Sequence, residues 1–418
     1  MGETVFTNVS VIDGTGAKPF DGAVLIRGDR IAEVVRGDIG DCGEAAIVDG
    51  GGATLMPGLI DAHAHLSFLD AATLGDINSL SAERHVLEAA KNARKMLDHG
   101  FTSMFSGSSA RDNLEVALRD AINAGDIPGP RLKAATRQMT VTGGFGDIGQ
   151  DDAYSLVLDG PEAFRKACRA AARAGVDTFK IVPSAQGTGP DPLAEDTAMS
   201  EDEVAAVCAV ARQRGRMVAA HARSAEAVKI CVRNGVQIIY HATLADDEAK
   251  DMLEAERHRV FVAPAMGLPY GRLTEGAKYG VTTDDFTRAR AEREIETVSR
   301  TMADLRKRGI RVLPGGDYGF KWNPHGRNAR DLAMFVELFG FSTLEAIQAA
   351  TQAGGELMNE PVGLVTAGSL ADLLLVDGDP TSDISILQEP GRFRAIMKDG
   401  TFHKVPEGNR RADLAAAE

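Results

Sequence analysis

Cysteine is scarce in this chain, four residues in 418, and Cys42, Cys168, Cys208 and Cys231 show no paired spacing that reads as a disulfide framework. A reduced compartment with cysteines in the core is the expectation, Cys168 and Cys208 serving as small hydrophobes inside alanine-rich helical patterns. Residues 1–6 lack the basic segment and long apolar run of a secretory leader, so a cytoplasmic location is expected. No apolar stretch approaches the roughly 20 residues of a membrane-spanning helix. Basic residues are in deficit, 46 Lys and Arg against 60 Asp and Glu, for a formal net charge of −14. Such a surface repels phosphate backbones and anionic lipid, which excludes nucleic acid and membrane as expected partners. What the chain has is length and apolar content. With 418 residues, 44% of them hydrophobic, it exceeds the roughly 150 of a typical single domain and calls for one large domain plus a smaller one, or two equal domains. The 45 glycines favour many short turns.

Turn chemistry divides the sequence. Strand patterns over 5–11, 23–26 and 31–35 are separated by Asp13-Gly14 and Gly28-Asp29. The other end behaves alike, with strands over 371–376 and 393–397 closing at Asp377-Gly378 and Asp399-Gly400, the latter leading into 401–403. An isolated hairpin is marginal in water, so the two ends are expected to complete one small β-sandwich built from residues 1–57 and 359–405. Between them, over 58–358, strand and helix signals alternate. Strands are predicted over 58–63, 101–105, 131–136, 176–182, 217–221, 236–241, 260–264 and 311–317. Ser200 and Ser342 open capping boxes, Pro161 suits a first helical turn, and Gly175, Gly215 and Gly235 sit where helices stop. A helix over 284–308 shows Ile295, Val298, Met302 and Leu305 at helical spacing. Eight strand–helix pairs in about 300 residues give an α/β fold, a (β/α)8 TIM barrel, and a polar tail over 406–418 is expected to be disordered.

Active sites of such barrels lie at the C-terminal ends of the strands, and six polar residues fall there. The first strand ends Asp61-Ala62-His63-Ala64-His65, and its two-residue period puts His63 and His65 on one face. His221 ends the fifth strand, His241 the sixth and Asp317 the eighth. Lys180 lies between Phe179 and Ile181, which face the helices, so it faces the barrel interior. A buried ammonium there costs several kcal/mol unless it is paired or chemically changed; reaction with CO2 converts it to an anionic carbamate able to bridge two cations. A single strand histidine is more often a hydrogen-bonded core residue, but six such groups in one register point to a metal site. His85, His99, His258 and His403 fall on helices, a pre-strand loop or the terminal sheet and read as surface or packing residues. His325, in Trp322-Asn323-Pro324-His325-Gly326, is open to two readings, a pocket residue or a loop histidine.

The chain resembles the amidohydrolase superfamily, in particular its prolidase-like and imidazolonepropionase-related binuclear metal hydrolases. The residues that carry this are Met56-Pro57-Gly58-Leu59-Ile60-Asp61-Ala62-His63-Ala64-His65, Phe179-Lys180-Ile181, Ala220-His221-Ala222, Tyr240-His241, Gly316-Asp317 and Gly368-Ser369-Leu370-Ala371-Asp372 running to Val376. The resemblance implies one divalent metal on His63, His65 and Asp317, a second on His221 and His241, and a carboxylated Lys180 plus a hydroxide bridging them. Zinc is the default for this donor set, with manganese or cobalt as alternatives. Two cations lower the pKa of a bridging water to about 7, giving the nucleophile; Asp317 is then the catalytic residue that passes its proton to the leaving nitrogen.

Departures from the family pattern narrow the substrate. Where peptidase-like relatives carry Gly-Gly-His-Gly-Asp after the third strand, this chain has Gly143-Gly144-Phe145-Gly146-Asp147. With Met139, Met266, Tyr270, Phe320 and Trp322 on neighbouring loops, Phe145 suggests an apolar, aromatic pocket. Arg137 is the counterweight, either a clamp for a substrate carboxylate or a partner of Asp147. A cytosine-deaminase-like reading needs a glutamate where Ser224 stands. The leading expectation is therefore a hydrolase cleaving the C–N bond of a small apolar or aryl amide, carbamate or urea. A prolidase-like dipeptidase or carboxypeptidase is the alternative, and the metal pair also permits lactone or phosphoester hydrolysis. A non-catalytic scaffold of the same fold predicts lost ligands, whereas all six are present. The expected partners are a small-molecule substrate and further copies of the chain, as a homo-oligomer.

Overall fold

A hairpin alone leaves its apolar face wet, and here strands from both chain ends cover that face together. The computed structural model describes residues 2–149, 153–186 and 194–407; the expected tail, from residue 408 on, lies outside them. The first five strands are β1 (Glu3–Val11), β2 (Phe20–Arg27), β3 (Arg30–Arg36), β4 (Ala46–Asp49) and β5 (Thr54–Pro57). Then come β6 (Leu59–Ala64), β7 (Phe101–Ser106), β8 (Arg131–Lys133), β9 (Gln138–Thr140), β10 (Ser155–Val157) and β11 (Thr178–Ile181). The series closes with β12 (Met217–Ala222), β13 (Ile238–His241), β14 (Phe261–Ala263), β15 (Arg311–Val312), β16 (Leu373–Val376), β17 (Phe393–Lys398) and β18 (Thr401–Lys404). The terminal strands form one sheet, β18-β17-β16-β5-β1-β2-β3, with β4 beside β1. The seam between the ends is the antiparallel pairing of β16 with β5, Leu375 opposite Leu55. The sheet curls over its own core until Phe402 on β18 comes within 6.0 Å of Phe6 on β1, ring to ring.

The barrel closes through backbone hydrogen bonds at two joints. One is the isolated parallel bridge of Ala135, two residues past the end of β8, to Thr178 of β11. The other is Ala62 N–H donating to Pro314 O at 2.9 Å, which returns the last strand to β6. All eight expected barrel strands occur, and two three-residue strands, β9 and β10, add to β11 at its open end. The eighth strand is much shorter than 311–317. After β15 the chain runs into Pro314-Gly315-Gly316, which ends the ladder because Pro314 has no N–H to donate, and Asp317 beyond it takes a left-handed φ of 58°.

The connecting helices include α1 (Ala82–Asp98), α2 (Leu114–Asn123), α3 (Pro161–Ala174), α4 (Glu201–Arg214), α5 (Ala225–Asn234), α6 (Asp247–Ala255), α7 (Gly267–Thr274) and α8 (Asp285–Lys307). Their ends follow from local chemistry. Ser200 and Glu203 form the capping box of α4, and Gly175, Gly215 and Gly235 take the left-handed cap positions of α3, α4 and α5. Cys168, Cys208 and Cys231 are buried, but Cys42 is half-buried in the turn-rich loop after β3, so the reading of all four as core residues is corrected there. No described helix is long and apolar enough to cross a membrane.

Candidate metal centre and its pocket

Strand alternation sorts the side chains of β11. Phe179 and Ile181 pack with Phe164 and Cys168 of α3, while Lys180 points inward and sets its ammonium 4.2 Å from the Tyr240 ring centroid. The face of Tyr240 also stacks on His63, with centroids 3.6 Å apart and planes at 2°. His63 and His65 follow the same alternation on β6 and leave their rings 5.0 Å apart. The candidate donor atoms of His63, His65 and Asp317 lie within 4.8 Å of one another. His221 and His241 form a second group, ring centroids 4.2 Å apart, and His241 is 5.7 Å from His63. The six residues singled out in the sequence thus meet at one barrel mouth, all buried or nearly so.

The donors fit a divalent cation. Ser108 O lies 3.1 Å from His65 Nδ1, so a neutral ring carries its proton there and turns the Nε2 lone pair toward Asp317 Oδ1, 3.0 Å away. Two acceptors at that distance call for a cation or a proton between them. His63 Nδ1 and His241 Nε2 are buried without a hydrogen-bond partner, one orphan in each histidine group. Burial, and then the Lys180 ammonium, hold His63 and His221 well below the ordinary histidine pKa; burial, and then His221, do the same for His241. These shifts favour the neutral imidazole, the form that ligates a metal. Burial pushes the Lys180 amine down to about 7, with Asp317 acting the other way, so the neutral amine that reacts with CO2 is populated.

The frame around these groups is tight. His241 and Asp317 sit at positive φ, 74° and 58°, conformations that cost about 1–3 kcal/mol each and persist where the surroundings dictate them. Asp61 accepts from His63 N–H at 2.8 Å and from Asn328 at 2.6 Å. His325 Nδ1 donates to Asp70 at 2.7 Å, and its Nε2 lies 3.1 Å from His65 O, so this histidine braces the His65 backbone.

Above the donors lies a cavity of about 220 Å³. Phe68, Phe145, Phe320 and Trp322 form its walls, with Leu74 and Leu268 between them. Phe145 stacks near His221 at 5.0 Å and Phe68 on His65 at 4.2 Å. Of the expected substrate residues, Phe145 and Trp322 line this cavity and four others do not. Arg137 is committed to Asp112 by two hydrogen bonds of 3.0 and 2.9 Å, neither clamp nor partner of Asp147. Met139 packs into the helix-side core because β9 turns it outward; Tyr270 packs against that core from α7; His325 lies behind His65. Met266 is likewise core. Phe68, Leu268, Gln186 and Arg272 were not anticipated. Phe68 carried a signal, since it follows His65 by three residues on the loop leaving β6. A wider groove of about 730 Å³ runs beside β18, but its one metal-binding type of residue, His403, is bonded to Asp98 at 2.6 Å.

This fold and donor set define a class, and comparison with known proteins agrees. Residues 54–402 match the amidohydrolase family, and the chain belongs to it. It is 27% identical to an ochratoxinase of Aspergillus niger over 379 residues, covering 84% of this chain and 76% of that protein. A crystal structure of a Xaa-Pro dipeptidase with bound methionine superposes with a TM-score of 0.84 at 27% identity, covering 96% of this chain and all of that one. A prolidase complexed with N-methylphosphonate-L-proline gives 0.85 at 26% identity, over 96% and 100% of the two chains. The protein is a hydrolase acting on C–N bonds.

Proposed function

We propose that this enzyme hydrolyses the C–N bond of a small apolar or aryl-bearing amide, carbamate or urea. His63, His65 and Asp317 would hold one divalent cation, zinc by default, and His221 and His241 a second, and Lys180 as a carbamate would supply further oxygen ligands. When bound, the cations supply a hydroxide at neutral pH and polarise the scissile carbonyl. The observation that carries the reading is the convergence of His63, His65, Lys180, His221 and Asp317 on the floor of a cavity walled by Phe68, Phe145, Phe320 and Trp322, with the His241 ring 4.2 Å from that of His221. Asp317 accepts the nucleophile's proton and returns it to the leaving nitrogen. Asp61, Asn328 and His325 hold the histidines in register for that transfer. The aromatic walls exclude water and reward burial of a substrate ring at about 25 cal/mol per Å². The enzyme is cytoplasmic and homo-oligomeric in this reading, and the chain divides into the sandwich and barrel units expected from sequence.

A prolidase-like dipeptidase is the second reading, favoured by likeness to the Xaa-Pro dipeptidase and the prolidase complex. The test compares kcat/KM for Xaa-Pro and Xaa-Arg dipeptides with that for N-aryl amides, carbamates and ureas, in wild type and in Phe145→His. Aryl substrates are expected to lead in wild type and lose ground in the variant. A tenfold preference for dipeptides, about 1.4 kcal/mol of transition-state discrimination, would put the peptidase reading in its place.

A further inference from the structure

The cavity does not end at its aromatic walls. A second compartment of about 170 Å³ adjoins it, and Gln186, Leu268, Arg272 and Trp322 line both. Its far side is the first part of α8, with Phe286, 73% exposed, Arg290 and Glu294. The guanidinium of Arg272 lies over the Trp322 ring, 5.0 Å from its centroid, at the partition between the two spaces. Among the described residues Arg272 has no hydrogen bond and no ion pair, and its Nε is buried without a partner. Arg131, Arg223, Arg306, Arg311, Arg327 and Arg330 also bury an unpaired Nε, but each holds a carboxylate through another nitrogen; Arg216, just before β12, shares the unpaired Nε but lines neither compartment. Arg290 likewise has no ion pair among the described residues. The nearby acids are engaged: Glu294 binds Arg223 at 2.5 Å, and Asp284 caps α8 by accepting from Thr287 N–H at 2.7 Å. Two guanidinium groups therefore face a compartment in which Glu294, the one carboxylate among the described lining residues, is already paired.

We propose that this outer compartment is a carboxylate subsite. The substrate is then an aryl amide, carbamate or urea whose ring spans the aromatic walls and whose end remote from the scissile bond carries a carboxylate. The cation–π contact with Trp322 holds the Arg272 guanidinium at the partition and leaves N–H groups for the two oxygens of a carboxylate. This rests on the donor cluster being the hydrolytic floor, and it adds a direction in which the substrate extends away from that floor.

Trp322 is the single tryptophan of the chain, so its fluorescence reports occupancy at the partition without any turnover. The metal-loaded protein is titrated with 4-phenylbutyrate and with its neutral isostere 4-phenylbutanamide. Wild type is expected to bind the carboxylate at least tenfold more tightly than the amide. Arg272→Gln should remove that preference while the amide's Kd stays within twofold; Arg290→Gln should reduce it about threefold. Equal binding of the two probes by wild type overturns the proposal. So does a preference that persists in Arg272→Gln, the result expected if the carboxylate sits on the metals instead. Turnover of a neutral aryl amide, assayed separately, tests the hydrolytic reading, so a failure of either is seen on its own.

Discussion

Gly107→Ala offers a sharp test of the metal-site geometry. Gly107 sits just past β7, and its N–H donates to Ala64 O at 2.7 Å, which ties its backbone to β6. A Cβ built there would lie 2.3 Å from His63 Cδ2, 2.9 Å from His63 Nε2 and 2.9 Å from His65 Cε1. Carbon atoms pack at about 3.5–4.0 Å, so one of the rings must move by roughly 1 Å or more. His63 has little room to yield, because its ring is stacked 3.6 Å from Tyr240 and its backbone N–H is held by Asp61. Overpacking of this kind costs about 1–3 kcal/mol of stability, and a misplacement of about 1 Å in a catalytic site costs about a hundredfold in rate. Gly391→Ala serves as the control, since a Cβ there meets nothing within 4 Å. Urea unfolding, elemental analysis and kcat should show Gly107→Ala folded but depleted in metal and slow, with Gly391→Ala unchanged in all three. A Gly107→Ala protein with wild-type metal content and wild-type rate would refute the geometry.

Lys180→Ala should lose more than about a hundredfold in kcat and recover part of it with millimolar acetate or propionate, whose oxygens replace the carbamate; an active variant indifferent to these acids contradicts the role given to Lys180. Asp246, at the N-cap of α6, has its pKa lowered mainly by the Ala249 N–H it accepts, so its stabilisation is present above the unfolded carboxylate pKa and is lost as pH falls through the lower folded value. Asp246→Ala should cost about 1 kcal/mol at pH 7 and less at pH 3 by urea unfolding, and a cost that grows on acidification would contradict this sign.

The donors were legible because strand alternation and position at a strand end are local properties. His63 and His65 needed only the period of β6, and Lys180 only the apolar flanks Phe179 and Ile181. The pocket was less legible because loop conformation decides which side chain reaches it. Arg137 carries the right chemistry for a carboxylate, yet Asp112, 25 residues earlier, takes it. Met139 was read as lying on a loop, but the chain forms the short strand β9, whose pairing with β11 turns it into the core. Arg272 was missed because nothing within α7 shows that its guanidinium comes to rest on Trp322, fifty residues on. The expected strand over 311–317 stops at Val312 for a local reason: Pro314 has no N–H for the ladder and Gly315-Gly316 add no side chains to it, so the chain leaves the sheet before it reaches Asp317.

The most direct measurement of the central claim is the metal content of the purified chain, followed as activity is restored. Protein produced with ample zinc should carry two equivalents per chain by elemental analysis. After chelation, activity in the presence of bicarbonate should rise until the second equivalent has been added. A clean single equivalent, unchanged by further metal and bicarbonate and fully active, would contradict the binuclear site.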